Sequence, residues 1–259
     1  MDEQPIRSIA ISTGGGDAPG LNAVIRATVL AAENRGWAVW GIRDGYHGLL
    51  SPEKYGGDGI IRLTRARVSG IAHLGGTILG TTNRGNPLRY PVQQPDGAWL
   101  EVDRGDELVA TLKARGIDAM VVVGGDGSLG IGYELAKRGI KVVGVPKTID
   151  NDLEKTFMTF GFDSAVSFAT ECLDRLHSTA ASHHRIMVVE VMGRYAGWIA
   201  LHAGIAGGAD AILIPEIPFE IEHVAEHIRR REKKGRLYTL VVIAEGDRKS
   251  TRLNSSHDR

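Results

Sequence analysis

Four segments of this 259-residue sequence carry the residue types that phosphate chemistry calls on: glycines in three of them, and carboxylates or guanidiniums in all four. The first is Thr13-Gly14-Gly15-Gly16-Asp17-Ala18-Pro19-Gly20, between a strand-like run and a helix-like one. Glycines there let the backbone approach an anion, and a helix N-terminus adds partial positive charge. A plain strand-to-helix turn can also be glycine-rich, and the segment matches neither the spaced-glycine dinucleotide fingerprint nor a Walker loop. The second, Gly124-Gly125-Asp126-Gly127-Ser128, follows Val121-Val122-Val123 directly. It offers backbone donors to phosphate and one carboxylate, Asp126, to Mg²⁺; the bland alternative makes Asp126 a helix N-cap. The third, Pro146-Lys147-Thr148-Ile149-Asp150-Asn151-Asp152, reads as a loop just beyond a strand. Its carboxylates could cap a helix or hold a metal, or Asp150 could accept a hydroxyl proton. The fourth runs from Arg185 to Glu190-Val191-Met192-Gly193-Arg194-Tyr195-Ala196-Gly197. One arginine at a strand end is usually a solvated charge, but two framing a strand and a glycine turn suit the paired acceptors of phosphate.

These segments need rigid elements behind them. Apolar runs rich in β-branched residues recur at Ile6–Ser12, Trp37–Ile42, Ala119–Val123, Lys141–Val145, Arg185–Val191, Ala211–Ile214 and Leu237–Ala244. Several are nearly continuous, as in strands covered on both faces. Helix-period stretches alternate with them, among them Leu21–Asn34, Asp106–Arg115 and Ser164–Leu176. That alternation predicts a parallel sheet flanked by helices, with ligands at the carboxyl ends of the strands. Gly36, Gly116 and Gly139 stand where left-handed helix ends are wanted. Residues 44–102, rich in Gly, Pro and Arg, read as loops and short elements, and no internal repeat is visible.

Composition narrows the class further. Lys plus Arg and Asp plus Glu number 31 each, which gives no support to a protein that coats nucleic acid or an anionic membrane. The one cysteine, Cys172, excludes an internal disulfide framework and a cysteine-rich zinc site, and fits a reducing compartment. No charged-then-apolar leader opens the chain, and no apolar run approaches the ~20 residues of a membrane span. A cytoplasmic location is expected. His183 and His184 resemble a metal pair, but neighbours on a strand face opposite ways, so a surface or capping role is expected. The run Arg229–Lys234 reads as a solvated helix C-terminus stopped by Gly235. Residues 248–259, RKSTRLNSSHDR, carry no usable period and are expected to be a disordered end, a foreign extension or a frame error.

Taken in order, GGDAPG, GGDGS, PKTIDND and SHHRIMVVEVMGRYAG resemble the 6-phosphofructokinase family over about residues 6–245. The resemblance implies an α/β, parallel-sheet fold of two lobes: 1–147 for the donor, 148–247 for the sugar phosphate, and 248–259 a non-family tail. It implies Mg²⁺-dependent transfer of the terminal phosphoryl group of ATP to the 1-hydroxyl of fructose 6-phosphate, in glycolysis, by a homotetramer. By the same resemblance, Gly15, Gly16, Arg84, Gly85, Gly125, Asp126, Gly127 and Ser128 would bind the donor, with Asp126 on the metal. Thr148, Ile149, Asp150, Met192, Gly193, Arg194 and Glu245 would meet the sugar, and Asp150 would take the hydroxyl proton. Arg185 would reach a neighbouring subunit's sugar-phosphate site.

Two positions bear on donor choice in the resemblance. Pyrophosphate-dependent members carry Asp where this chain has Gly127 and Lys where it has Lys147, so the signature is mixed. Steric room at Gly127 favours ATP, because an added cation is easier to tolerate than a clash. The chain departs from the family at Leu30, where an effector-site arginine would stand beside Arg26. The further arginines and the histidine expected beyond Glu245 are not recognisable; Arg248, Arg252 and His257 lack the right surroundings, so the second lobe is expected to be incomplete and turnover weak. Three other readings are weighed. Another kinase sharing the Gly-Gly-Asp-Gly loop would not pair it with PKTIDND and MGRYAG. A non-catalytic sugar-phosphate sensor or assembly subunit would not need both Asp126 and Asp150. A nicotinamide dehydrogenase would show spaced glycines after its first strand.

Overall fold

The computed structural model describes residues 5–246. The chain divides into two compact units, residues 1–148 and 149–259.

The first unit contains β1 (Ser8–Thr13), α1 (Leu21–Glu33), β2 (Ala38–Ile42), α2 (His47–Leu50), β3 (Ile60–Leu63), β4 (Tyr90–Gln93), β5 (Trp99–Val102), α3 (Gly105–Ala114), β6 (Ala119–Gly124), α4 (Asp126–Lys137) and β7 (Lys141–Thr148). Its sheet runs β3-β2-β1-β6-β7, parallel except for β3. All six residues of β1 are buried, as a near-continuous apolar strand requires. Its side chains alternate between two cores. Ile9 and Ile11 pack with Leu21, Ile25 and Val29 of α1, and Ala10 packs with Leu108 and Leu112 of α3 and Leu135 of α4. Each fully buried leucine contributes about 1.5–3 kcal/mol, so the two helical layers fix which way every strand faces. β4 and β5 form a separate antiparallel hairpin within 44–102, the stretch expected to hold short elements.

The second unit contains β8 (Phe160–Gly161), α5 (Phe162–His183), β9 (Ile186–Val191), α6 (Trp198–Ala206), β10 (Ala211–Leu213), α7 (Ile221–Lys233) and β11 (Thr239–Ala244). β10, β11 and β9 form a parallel sheet in that order. Its core joins Leu240 and Val242 of β11 to Leu173 of α5 and Ile199, Ala200 and Ala203 of α6. The expected α/β, largely parallel architecture is therefore present.

Three local expectations need correction. Pro146, Lys147 and Thr148 are not loop but the last residues of β7. Pro146 lies opposite Gly124 at the carboxyl end of β6, so a residue without an amide proton still sits within this strand. His183 and His184 are not on a strand. His183 ends α5, which runs seven residues past Leu176, and His184 caps it in a left-handed conformation (φ 52°). The capping role holds, but the argument from opposite strand faces does not. Finally, an apolar run did not always mean cover on both sides. In β9, Ile186 and Val188 are exposed while Met187 and Val189 pack inward. Gly36, Gly116 and Gly139 do adopt left-handed conformations after α1, α3 and α4. Residues 248–259 lie outside the described residues.

Candidate active site

In the first unit, three glycine-bearing turns converge at the carboxyl ends of β1 and β6. Gly14 donates its amide to the Val123 carbonyl at 2.9 Å, and Gly15 donates to Thr82 at 3.2 Å. Thr81 returns its hydroxyl to the Gly15 carbonyl at 2.6 Å. A Cβ at Gly14 would stand 2.6 Å from Ser128 Oγ, and one at Gly124 would stand 2.3 Å from Ser128 Cβ. Those glycines are spacing elements: any side chain would push the turns apart. Lys147 is buried, and its ammonium donates to the carbonyl of Gly16. It also lies beside Gly15, along with Ser128 and Asn83.

Asp126 is the first residue of α4, and the cap before it is Gly125, so Asp126 does not cap the helix. Its carboxylate is exposed and has no hydrogen bond or ion pair among the described residues. An exposed, uncommitted carboxylate fits Mg²⁺, which keeps several waters and takes one or two carboxylates together with substrate phosphates. Beside it, a Cβ on Gly127 would meet only open space, whereas Gly14 and Gly124 are crowded. Arg84 is exposed on the adjoining turn, its amide accepted by Thr82 Oγ1 at 3.0 Å. The site residues foreseen in this unit thus gather on neighbouring turns. Sequence reading missed Thr81 as part of them. The polar run Thr81-Thr82-Asn83 before Arg84 was the available signal.

In the second unit, Asp150 is 7% exposed and stands 3.7 Å from Arg194, whose side chain is mostly exposed. Glu245 lies just beyond β11. One oxygen of its carboxylate accepts the amides of Gly193 and Arg194, at 3.2 and 2.8 Å, and so holds the turn that follows β9. Gly193 (φ 142°) and Arg194 (φ 52°) both need that hold. Gly246 is equally constrained, because a Cβ there would sit 1.7 Å from the Arg194 carbonyl. Asn151, also left-handed (φ 53°), takes the Thr159 amide at 2.9 Å and closes the turn behind Asp150.

Four foreseen residues are placed differently from the rest. Ile149 packs its side chain against the core of its own unit, leaving its backbone for any ligand. Arg185 precedes β9 while Arg194 follows it, so the six-residue strand separates them by about 20 Å. They frame the strand and the glycine turn after it, as expected, from opposite ends. Met192 is exposed beside the Gly193 turn, and Thr148 is half-buried at the end of β7.

The sequence pattern of the family described as Phosphofructokinase matches residues 8–257. The chain belongs to the phosphofructokinase family. An ATP-dependent 6-phosphofructokinase 2 of Clostridium perfringens is 53% identical to it over 244 residues, 94% of this chain and 65% of that protein. The chain therefore spans about 65% of the length of that relative. Among solved phosphofructokinase structures, that of Saccharomyces cerevisiae superposes with a TM-score of 0.79 at 36% identity, over 93% of this chain and 34% of the yeast one. A pyrophosphate-dependent phosphofructokinase of Marinobacter aquaeolei superposes at 0.76 with 25% identity, over 93% of this chain and 61% of its own.

Proposed function

We propose that the chain serves in an ATP-dependent 6-phosphofructokinase, which transfers the terminal phosphoryl group of ATP to the 1-hydroxyl of fructose 6-phosphate to give the 1,6-bisphosphate. The observation that carries this reading is the uncrowded start of α4, where Asp126 is exposed and uncommitted and the α-carbon of Gly127 borders open space. It supports a triphosphate tail laid over backbone amides, as does the ATP-dependent activity named for the Clostridium relative.

Within this reading the residues divide the work. Gly15, Gly16, Gly125, Gly127 and Ser128 bring amides and a hydroxyl to the donor phosphates, with Arg84 and Gly85 on the adjoining turn. Asp126 would hold Mg²⁺, which would offset charge on the transferred group. Met192, Gly193 and Arg194 of the second unit orient the sugar, with Thr148, the last residue of the first unit, and Ile149 leading into Asp150. Glu245 holds their turn with one oxygen, which leaves the other for a sugar hydroxyl. Asp150 takes the proton of the 1-hydroxyl as that oxygen bonds to the γ-phosphorus and the bond to ADP breaks. Arg185, exposed ahead of β9, is offered to a neighbouring subunit of a homotetramer. No helix among the described residues is long and apolar enough to cross a membrane, and a cytoplasmic location completes the proposal.

A second reading, pyrophosphate as donor, is favoured by one observation: the buried Lys147 ammonium sits against Gly15 and Gly16. One coupled assay separates the two. ATP and pyrophosphate are offered in turn with Mg²⁺ and fructose 6-phosphate, and turnover with ATP is expected to be the larger. Turnover with pyrophosphate alone would exchange the two readings, and turnover with neither would remove both for this chain.

A further inference from the structure

The half-buried imidazole of His47, at the start of α2, stands between two groups distant in sequence. On one side its Nδ1 lies 3.2 Å from the hydroxyl of Tyr90, and the rings meet edge to face with centroids 5.7 Å apart. Tyr90 is itself tied to Ser51 at 2.8 Å, and both are buried. On the other side Nε2 faces the Arg84–Gly85 turn. A Cβ at Gly85 would stand 2.3 Å from Nε2, so the ring packs directly on the glycine backbone. The Arg84 backbone acts on the ring in the sense that favours its protonated form. With Ser51 donating to Tyr90 and Tyr90 donating to Nδ1, the neutral ring carries its proton on Nε2, the nitrogen that faces the turn.

A satisfied histidine under a loop would ordinarily be a packing detail. Here the loop bears the exposed arginine assigned to the donor, and Gly85 has a left-handed backbone (φ 77°) with no side chain to fix it. Within the turn Thr82 Oγ1 accepts the Arg84 amide, and from outside it the imidazole is the polar group that reaches the turn from α2. We propose that His47 is a positioning residue for donor binding: anchored by Tyr90 and Ser51, it sets the Arg84–Gly85 turn and thereby the guanidinium of Arg84. The proposal rests on the donor reading above, and its test separates the two.

The test uses the 259-residue protein, with hydrogen–deuterium exchange of the peptide spanning 82–88 and calorimetric binding of MgATP and of fructose 6-phosphate. His47→Phe, which keeps a ring but no nitrogens, is expected to speed exchange in that peptide. It should also weaken MgATP about 3–10-fold, the scale of one lost hydrogen bond, and leave fructose 6-phosphate binding unchanged. His47→Gln, which restores a donor, should recover part of the loss. Tyr90→Phe, which removes only the anchor, should move both readouts the same way, and it serves should His47→Phe fail to fold. Unchanged exchange in both ring variants would overturn the positioning role. Faster exchange with unchanged MgATP affinity would overturn its link to the donor. Arg84→Ala that binds MgATP like the unsubstituted protein would remove the donor assignment and this proposal's consequence, while the exchange data would still report whether His47 holds the turn.

Discussion

Asp150 combines near-complete burial with a guanidinium 3.7 Å away, which distinguishes it from Asp126, exposed at the start of a helix. A buried, oriented carboxylate suits a single geometric task such as accepting one proton, and an exposed one suits a hydrated cation. Asp150→Ser is therefore expected to lower kcat by about 10²–10⁴, the usual scale for a general base, with little change in KM. Steady-state kinetics of the active assembly check this, and an unchanged kcat would take Asp150 out of the reaction. Gly127 makes a different demand, because it matters for what it leaves empty. Gly127→Asp should reduce turnover with ATP far more than with pyrophosphate, and equal losses would refute the steric argument. His47 responds to its own surroundings: burial, and then the Lys54 ammonium, hold its imidazole below the ordinary value, against the pull of Asp44 and the Arg84 backbone. A neutral ring is what its hydrogen bond from Tyr90 needs, since a proton on Nδ1 would turn that acceptor into a donor.

At the scale of elements, the candidate turns after β1, β6, β7 and β9 all lie at the carboxyl ends of parallel strands, where the chain leaves the sheet. The turn after β9 shows how such a place is held. Two residues of positive φ are kept in shape by one carboxylate oxygen of Glu245, reached from the end of β11. Glu245→Ala would leave two amides without that partner, at a cost of about 1–3 kcal/mol if water cannot replace it. The expected outcome is a raised KM for fructose 6-phosphate and an unchanged KM for ATP, measured under saturation of the other substrate. An equal rise for both would show that the residue supports the fold at large. Much of this element framework was legible beforehand, since β1, β2 and β6 begin or end within two residues of the apolar runs that announced them. The end of β7 was not legible, because Pro146 reads as a strand breaker and only pairing with β6 explains its place. The length of α5 was missed for a similar reason. Beyond Leu176 the helix continues on small and polar residues whose period is weak, and the contact of His177 with Gly207 that helps seat it is invisible in sequence.

Across the whole molecule, the residues assigned to the donor belong to the first unit, whereas Asp150, Arg194 and Glu245 belong to the second. Each unit has its own core, so binding of the two substrates is expected to be separable. Asp126→Ala should abolish MgATP binding and spare fructose 6-phosphate, and Arg194→Ala should do the reverse, each measured by calorimetry. Loss of both ligands on either substitution would contradict the assignment. What the sequence determined by itself was the family and the order of its motifs along the chain. Glycine runs around Asp126, the Asp150 segment and the Arg194 turn were readable because those motifs are written in residue type, and residue type is what a sequence records. The tertiary structure decided partnership. That Glu245 holds Gly193, that Lys147 is spent on the Gly16 carbonyl, and that His47 lies under Arg84 all depend on contacts between residues tens of positions apart. Spacing along one chain cannot encode them, because they arise only when the folded backbone brings distant segments together.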